Sequence, residues 1–420
     1  MKILIITQNF YPEIGSAANR AKNIYFVLKE KGYEVNILTT EPNYPNRNLY
    51  SDEAFWDEDI PEDEIMRVQL KTRKYTSSMF KRLIYHLETM LKLIFYNFKL
   101  KKDYDVVFAT LPSIFIGIAG VVAKMRQKAT LILDIRDLWP ETLVGLKRFH
   151  NKLALKMAYS LESFLYRRAD NIIVNSEGFI PYMLSKKVPR AKISFIPNSL
   201  TESELEGYLS QKEQRLDSDE ITVLYAGNIG LAQDLDTLID IAKKLSHNPK
   251  IKFDVIGYGF LLKDFKQKIM DLGLNNIEIS QALSRKATLM RIAAADMVYV
   301  TLKDSDVFKT VLPGKVIDYM GLSKPIVANV AGYPAYTIWK ANCGIVVSEA
   351  NNVDELCRFI SELAISDDLR YQLGENGRKY AKMKFNWAVN LGILVEILEK
   401  KELRENVKRK ADIREEGTAI

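Results

Sequence analysis

A chain of 420 residues with 47% hydrophobic content holds material for two or three packed cores, which excludes a single small module and a disordered polypeptide. Two cysteines, Cys343 and Cys357, and three scattered histidines, His86, His150 and His247, give no disulfide framework and no metal-ligand spacing, and suit a reducing cytosol. The net charge of +7 matters less than its placement, since ten basic residues between Arg67 and Lys102 meet one acid, Glu88.

The N-terminal MKILIIT enters an apolar strand, Lys2 to Thr7, without a cleavage site, so no signal peptide is expected. A loop and an amphipathic helix follow, with Ala21, Ile24, Tyr25 and Leu28 on one face. Gly32 closes that helix and Tyr33 to Thr39 is the next strand, an order that predicts a right-handed parallel sheet. Further strands are expected at Val106–Ala109, Thr130–Asp134, Asn171–Asn175 and Ile193–Ile196. Residues 201–220 turn to Glu, Ser, Gln, Lys and Asp and read as a linker. The pattern then restarts with strand Ile221–Ala226, the turn Gly227 to Gly230 and a helix over Leu235 to Leu245. Strands Phe253–Ile256, Ile277–Ile279, Met297–Thr301 and Pro325–Asn329 follow, and a charged tail occupies 403–420.

Several segments carry chemistry. Phe308 to Asn329 reads as a strand end, a tight Pro313-Gly314 turn, a helix start and a buried strand. Its turn offers backbone N–H groups and Lys315 at a helix N-terminus, where a phosphate is favoured. Asp318 lies one turn on, placed for a ribose; a capped loop of an α/β sheet fits the same residues. Glycine loops with Gly15-Ser16, Gly227-Asn228 and Gly257-Tyr258-Gly259 each follow a strand. None has dinucleotide-fold or Walker spacing. Asp134 to Glu141, DIRDLWPE, gathers two aspartates, Arg136 and Glu141 after a strand. That pattern suits a cleft, or an ion-paired turn with Asp137 capping the next helix.

Taken together, QNFYPEIGSAANR, LDIRDLWPE, FIPNS, YAGNIGLAQDLDTLI, VIGYG, LPGKVIDYMGLSKPIVAN and ENGRKYAKMKFNW resemble the retaining glycosyltransferases of family 4. The resemblance is nearest to the branch that builds lipid-linked polysaccharides such as O-antigen, colanic acid or capsule. It implies the α/β GT-B fold, two Rossmann-like domains facing each other across a cleft. Residues 1–200 would bind the acceptor and 221–383 the nucleotide-sugar, with 384–402 returning to the N-terminal domain. In that family two glutamates bracket the segment ending at Asp318; the first position is Thr310 here. The family's diphosphate-clamping Arg and Lys fall near Asn228 and Gln233, so Arg285 and Lys315 become the candidates for phosphate charge. Donor-binding residues on this basis are Gly15, Ser16, Gly227, Asn228, Gly257, Gly259, Thr310, Pro313, Gly314, Lys315 and Asp318. Asp134 or Asp137 would orient the acceptor hydroxyl, with Arg20, Arg136 and Glu141 binding the acceptor. The implied reaction moves a sugar from a nucleotide-sugar, expected to be a UDP-sugar, to a polyprenyl-diphosphate-linked acceptor. The diphosphate leaving group is stabilised by cations and helix N-termini, and no metal or other cofactor is expected. Asp304-Ser305-Asp306 has the spacing of a metal motif but reads as a loop near the donor sugar.

Phe80 to Phe98 sets Phe80, Leu83, Leu87 and Phe95 at helical spacing with Lys81, Arg82, Lys92 and Lys99 beside them. An interfacial helix near 79–102, attracted to anionic lipid on the inner face of the cell membrane, fits this pattern. A core helix with a solvated basic flank is the alternative. Val106 to Ala123 is uncharged, but Pro112-Ser113 splits it into a strand and a helix, so no spanning segment is expected. Nucleic acid is a poorer partner, because the basic block borders an aliphatic stripe and not a stacking platform. Two other readings share the fold: a UDP-N-acetylglucosamine 2-epimerase, and a non-catalytic binding module.

Overall fold

The computed structural model describes residues 1–72, 79–100, 103–111, 113–146, 151–208, 219–348 and 352–403, without the side chains of Met79 and Phe80. The N-terminal domain runs β1 (Lys2–Ile6), α1 (Ser16–Glu30), β2 (Glu34–Thr40), β3 (Ile65–Val68), α2 (Met79–Lys99), β4 (Val106–Leu111), α3 (Ile114–Gln127), β5 (Thr130–Ile135), α4 (Glu141–Gly145), α5 (Lys152–Arg168), β6 (Asn171–Val174), α6 (Ile180–Ser185) and β7 (Ile193–Phe195). After α7 (Glu202–Glu206), the C-terminal domain runs β8 (Ile221–Asn228), α8 (Leu235–Lys244), β9 (Ile251–Tyr258), α9 (Leu262–Asp271), β10 (Ile277–Ser280), α10 (Arg285–Ala294), β11 (Met297–Thr301), α11 (Gly314–Gly321), β12 (Ile326–Asn329), α12 (Tyr333–Ala341), β13 (Gly344–Val347), α13 (Val353–Ile365) and α14 (Asp367–Lys384). It ends with α15 (Trp387–Asn390) and a helix over 392–403.

Both sheets are wholly parallel, in the orders β3-β2-β1-β4-β5-β6-β7 and β10-β9-β8-β11-β12-β13. The central strands read as unbroken apolar runs because helices cover both faces; VVFATL of β4 is buried at every position. In each sheet the first strand of the domain, β1 or β8, is where the order reverses. A ligand crevice forms at the carboxyl ends beside such a reversal. Right-handed crossovers also sort the helices by face. The core on one side of the N-terminal sheet holds α1 with Trp387, Leu391, Leu394 and Leu398. The other side holds residues of α2, α3 and α5.

Three expectations need correction. Ile65–Val68 and Gly344–Val347 form strands that had no assignment, IMRV and GIVV being short; both are four-residue edge strands, paired on one side only. The start of the expected linker is ordered, since Thr201 opens α7 with a reciprocal capping box to Glu204. Residues 209–218 and 404–420, the rest of that linker and most of the tail, lie outside the described residues, as do Arg73, Lys74, Lys101 and Lys102.

Candidate active-site cleft

A cleft of about 260 Å³ lies between the carboxyl ends of the two sheets. The N-terminal domain lines it with the β1–α1 loop from Tyr11 to Ser16, the first turns of α1, and Asn198-Ser199 beyond β7. The C-terminal domain adds Gly227 and Asn228, Tyr258, the start of α10, and Gly314, Lys315 and Asp318 of α11.

Two helices begin at this cleft. α1 starts behind Gly15 and α11 behind Pro313, and neither N-cap residue supplies a side-chain hydrogen bond. Each therefore presents unsatisfied N–H groups and the positive end of its dipole. The two starts nearly touch: a Cβ on Gly314 would stand 3.2 Å from Ser16 Cβ. Arg136 adds charge there, its Nη2 donating to Ser16 Oγ at 2.8 Å. Burial lowers this guanidinium to about 10, with Asp134 opposing the shift.

Lys315 completes the cationic junction. Its Nζ is buried without a hydrogen-bond partner, 3.6 Å over the Tyr225 ring. Gly227, at φ +132°, leaves room for it, since a Cβ there would come within 3.1 Å of Nζ. Burial pushes the amine down to about 7, against the pull of Asp318. A buried amine lacking a counter-ion is costly unless an anion arrives. Beside two uncapped helix starts, it makes an arrangement whose charge and donors suit a phosphate.

Asp318 and Arg285 both line the cleft, but they hold each other. Arg285 Nη1 and Nη2 donate to the two Asp318 oxygens at 2.8 Å each, and its Nε donates to Glu204 Oε1 at 2.8 Å. Burial works against this guanidinium, yet the two carboxylates raise its pKa overall, and Arg285 in turn lowers Glu204 against its own burial. Arg285 is therefore committed to carboxylates in this conformation, whereas Lys315 and Arg136, whose Nε is buried without a partner, are not.

Other sequence candidates have different neighbours. Asp134 is fully buried; both its oxygens accept from Arg20, and Thr110 Oγ1 adds a third donor. Arg20 also donates to the Pro197 carbonyl, sits over the Trp387 ring and lines the cleft, while Asp134, which it ties to α1, does not line it. Asp137 does not cap α4, whose N-cap is Pro140. It opens instead on a small separate cavity with Ser113, Trp139 and Glu162, where burial raises its pKa against Arg136. Glu141 accepts from Tyr159 Oη at 2.9 Å, outside the cleft. Gly257 and Gly259 are packing positions beneath the β8 loop, where a Cβ would strike Ile229 or Asn228 within 2.3 Å. Thr310 lies at the domain interface: Ser176 Oγ donates to its carbonyl at 2.5 Å, and its own hydroxyl donates to Val307. Asp304 and Asp306 both pair with Lys309. On α2, Leu83, Leu87 and Phe95 are exposed, while the Phe80 side chain lies outside the described residues.

Three cleft residues had no sequence assignment, nor did Glu204, which lies behind the cleft as the partner of Arg285. Glu204 falls in the polar stretch read as linker, and only its capping-box spacing to Thr201 hints at order. Trp387 arrives from the C-terminal segment. Asn198, in the Pro197-Asn198-Ser199 turn, holds an unpartnered buried Oδ1. Glu13 accepts from the Asn43 and Tyr44 amides and Asn9 Nδ2, and burial raises it to about 7 despite them.

The family model described as "Glycosyl transferase 4-like domain" matches residues 15–199, and "Glycosyl transferases group 1" matches residues 209–380. The putative colanic acid biosynthesis glycosyl transferase WcaI of Escherichia coli K12 is 23% identical over 349 residues, covering 79% of this chain and 84% of that protein. Among solved structures, sucrose-phosphate synthase from Thermosynechococcus elongatus has a TM-score of 0.73 at 17% identity, covering 96% of this chain and 100% of that one. Anabaena HepE in complex with UDP-glucose has a TM-score of 0.65 at 15% identity, covering 95% and 100%. These two similarities establish a shared two-domain GT-B fold.

Proposed function

We propose that this chain, a glycosyltransferase of the GT-B type, transfers a glycosyl group with retention from a UDP-sugar to a polyprenyl-diphosphate-linked acceptor in surface-polysaccharide synthesis. The observation that carries the donor side is the meeting of the α1 and α11 starts with the unpartnered Lys315 ammonium. A nucleoside diphosphate fits that junction. Charge develops on its β-phosphate as the C1–O bond breaks, and fixed dipoles with the uncommitted Lys315 and Arg136 cations stabilise such charge without reorganising. The acceptor hydroxyl oxygen forms the new bond to C1, and its proton passes to the departing β-phosphate. Asp318 reaches the donor ribose only by sharing Arg285, so the ribose contact and the ion pair compete for one carboxylate. Metal plays no part in this reading.

The acceptor side draws support from two sources. WcaI is named for colanic acid biosynthesis. The exposed Leu83, Leu87 and Phe95 of α2, bordered by Lys81, Arg82, Lys92 and Lys99, suit a peripheral position on an anionic inner-membrane surface. Among the described residues no helix is long and apolar enough to cross a membrane.

The test is incubation with a panel of nucleotide-sugars and polyprenyl-diphosphate-linked acceptors, followed by mass measurement and anomer assignment of the products. A mass gain of one glycosyl unit, in the donor's anomeric configuration, is expected. Epimer formation, or donor binding with no transfer to any acceptor, would sink the proposal.

A further inference from the structure

In a right-handed parallel sheet, the direction of each strand-to-strand step decides which face its connecting helix covers. The step from β1 to β2 runs one way and puts α1 on one face. The steps β3 to β4, β4 to β5 and β5 to β6 run the other way, so α2, α3 and α5 lie side by side on the opposite face, with α3 packed against both. All three run antiparallel to the strands, so their N-terminal ends lie at the cleft end of the domain.

The outward surface of this layer has one charge sign and is greasy. α5 exposes Leu153 at 69% and Met157 at 66%, one turn apart, in the same layer as the exposed stripe of α2. The three helices contain ten Lys and Arg residues and two acids, Glu88 and Glu162. Neither acid offsets the field outside. Glu88 accepts from the Lys71 and Thr72 amides and pairs with Lys92. Glu162 is buried beneath Tyr166, Tyr182 and Lys186. On α5, Lys152, Lys156 and Arg167 line a shallow groove of about 600 Å³ with Tyr159, Ser160 and Ser163. No ion pair joins these three cations to any of the described residues. Exposed apolar residues one turn apart, flanked by unneutralised cations, match the headgroup region of an anionic bilayer better than water.

We propose that α5 is a second lipid-contact helix. Leu153 and Met157 enter the headgroup region, Lys152, Lys156 and Arg167 hold lipid phosphates, and the N-terminal domain rests on the bilayer along α2 and α5 together. Two lines of contact fix an orientation that one helix leaves free to roll. Lys152, Leu153, Lys156 and Met157 lie in the first two turns of α5, at the cleft end, so this part of the contact brings the strand carboxyl ends close to the lipid surface. The inference rests on the reading of α2 as interfacial.

The experiment is co-sedimentation of the full chain with vesicles of phosphatidylcholine alone or mixed with phosphatidylglycerol. Lys152→Glu with Lys156→Glu, and separately Leu153→Ser with Met157→Ser, are each expected to weaken partition onto the mixed vesicles roughly tenfold. UDP affinity and melting temperature should stay unchanged, because these side chains lie outside the core and the cleft. Undiminished partition of both α5 pairs overturns the proposal. If Leu87→Ser with Phe95→Ser alone releases the protein, the α2 reading stands and the α5 proposal falls. Wild-type protein that ignores mixed vesicles defeats both. A second copy of the chain is the competing occupant: a concentration-dependent dimer that the α5 pairs dissolve, seen by sedimentation velocity, also overturns it.

Discussion

Lys315 concentrates the chemistry of the cleft in one amine. On the proposed donor reading, replacing it with methionine removes a charge-assisted contact to the diphosphate, which should weaken UDP binding roughly 10- to 100-fold by calorimetry. The same change removes a buried amine that lacks a partner, so the melting temperature should hold or rise. Its pH signature follows from burial, which lowers the folded amine from 10.5 to about 7. Between those values the unfolded chain binds a proton that the folded chain lacks, so this group adds stability as pH rises through that window. Donor affinity moves the opposite way. A bound diphosphate favours the ammonium, so UDP binding should take up a proton and weaken as pH climbs above 7; calorimetry in buffers of different ionisation enthalpy reads that uptake. Arg285 and Asp318 make a second residue-scale case. Their bidentate pair predicts non-additive loss, with a coupling of about 1–3 kcal/mol in a double-mutant cycle of Arg285→Ala and Asp318→Ala scored by denaturant unfolding. Sequence pointed to Lys315, Asp318 and Arg285 as separate ligands. It could not show that two of them satisfy each other, because Arg285 opens α10 while Asp318 lies a strand away on α11.

Elements with a strong period were legible: α1, α2, α8 and the central strands follow from apolar spacing, since a helix stripe or a doubly covered strand leaves a direct imprint on sequence. The C-terminal segment was legible only as a destination. Trp387 buries all but 2% of its surface, lies under the Arg20 guanidinium and lines the cleft. Trp387→Ala should therefore cost about 3–5 kcal/mol of unfolding free energy and also weaken UDP binding. Loss of stability with donor affinity untouched would confine the tryptophan to docking this segment. α2 shows the limit of pattern at this scale. Its periodicity gives the helix and its apolar face, but Tyr85, Thr89, Leu93 and Asn97 face the core while Leu91, Phe95 and Phe98 face outward. A helix apolar on more than one side does not say which side is wet.

The two domains touch through a few close contacts that decide how far the cleft opens. Ser176 donates to the Thr310 carbonyl, Tyr333 donates to Glu177 at 3.1 Å, and Gly178 lies so near Thr310 that an added Cβ would sit 2.4 Å from its carbonyl oxygen. Gly178→Ala is expected to push the domains apart at this contact, beside Phe179, Val307 and Phe308, which share the adjoining core. A larger radius of gyration by small-angle scattering, weaker UDP binding and a lower melting temperature are expected; an unaltered radius would show that the loop yields locally. This contact also gives Thr310, where the resembled family has an acid, a place in the interface between domains. By itself the sequence determined two parallel α/β domains, the turn and Lys315 at the start of α11 and the basic apolar character of α2. Those properties are local, written in spacing, turn residues and helix starts. Only the tertiary structure decided that Asp134 is consumed by Arg20, that Asp318 and Glu204 are held by Arg285, that Trp387 reaches the cleft, and that α5 shares a face with α2. Each of these depends on which strand carboxyl ends stand side by side, and strand order is a property of the whole sheet that no single segment encodes.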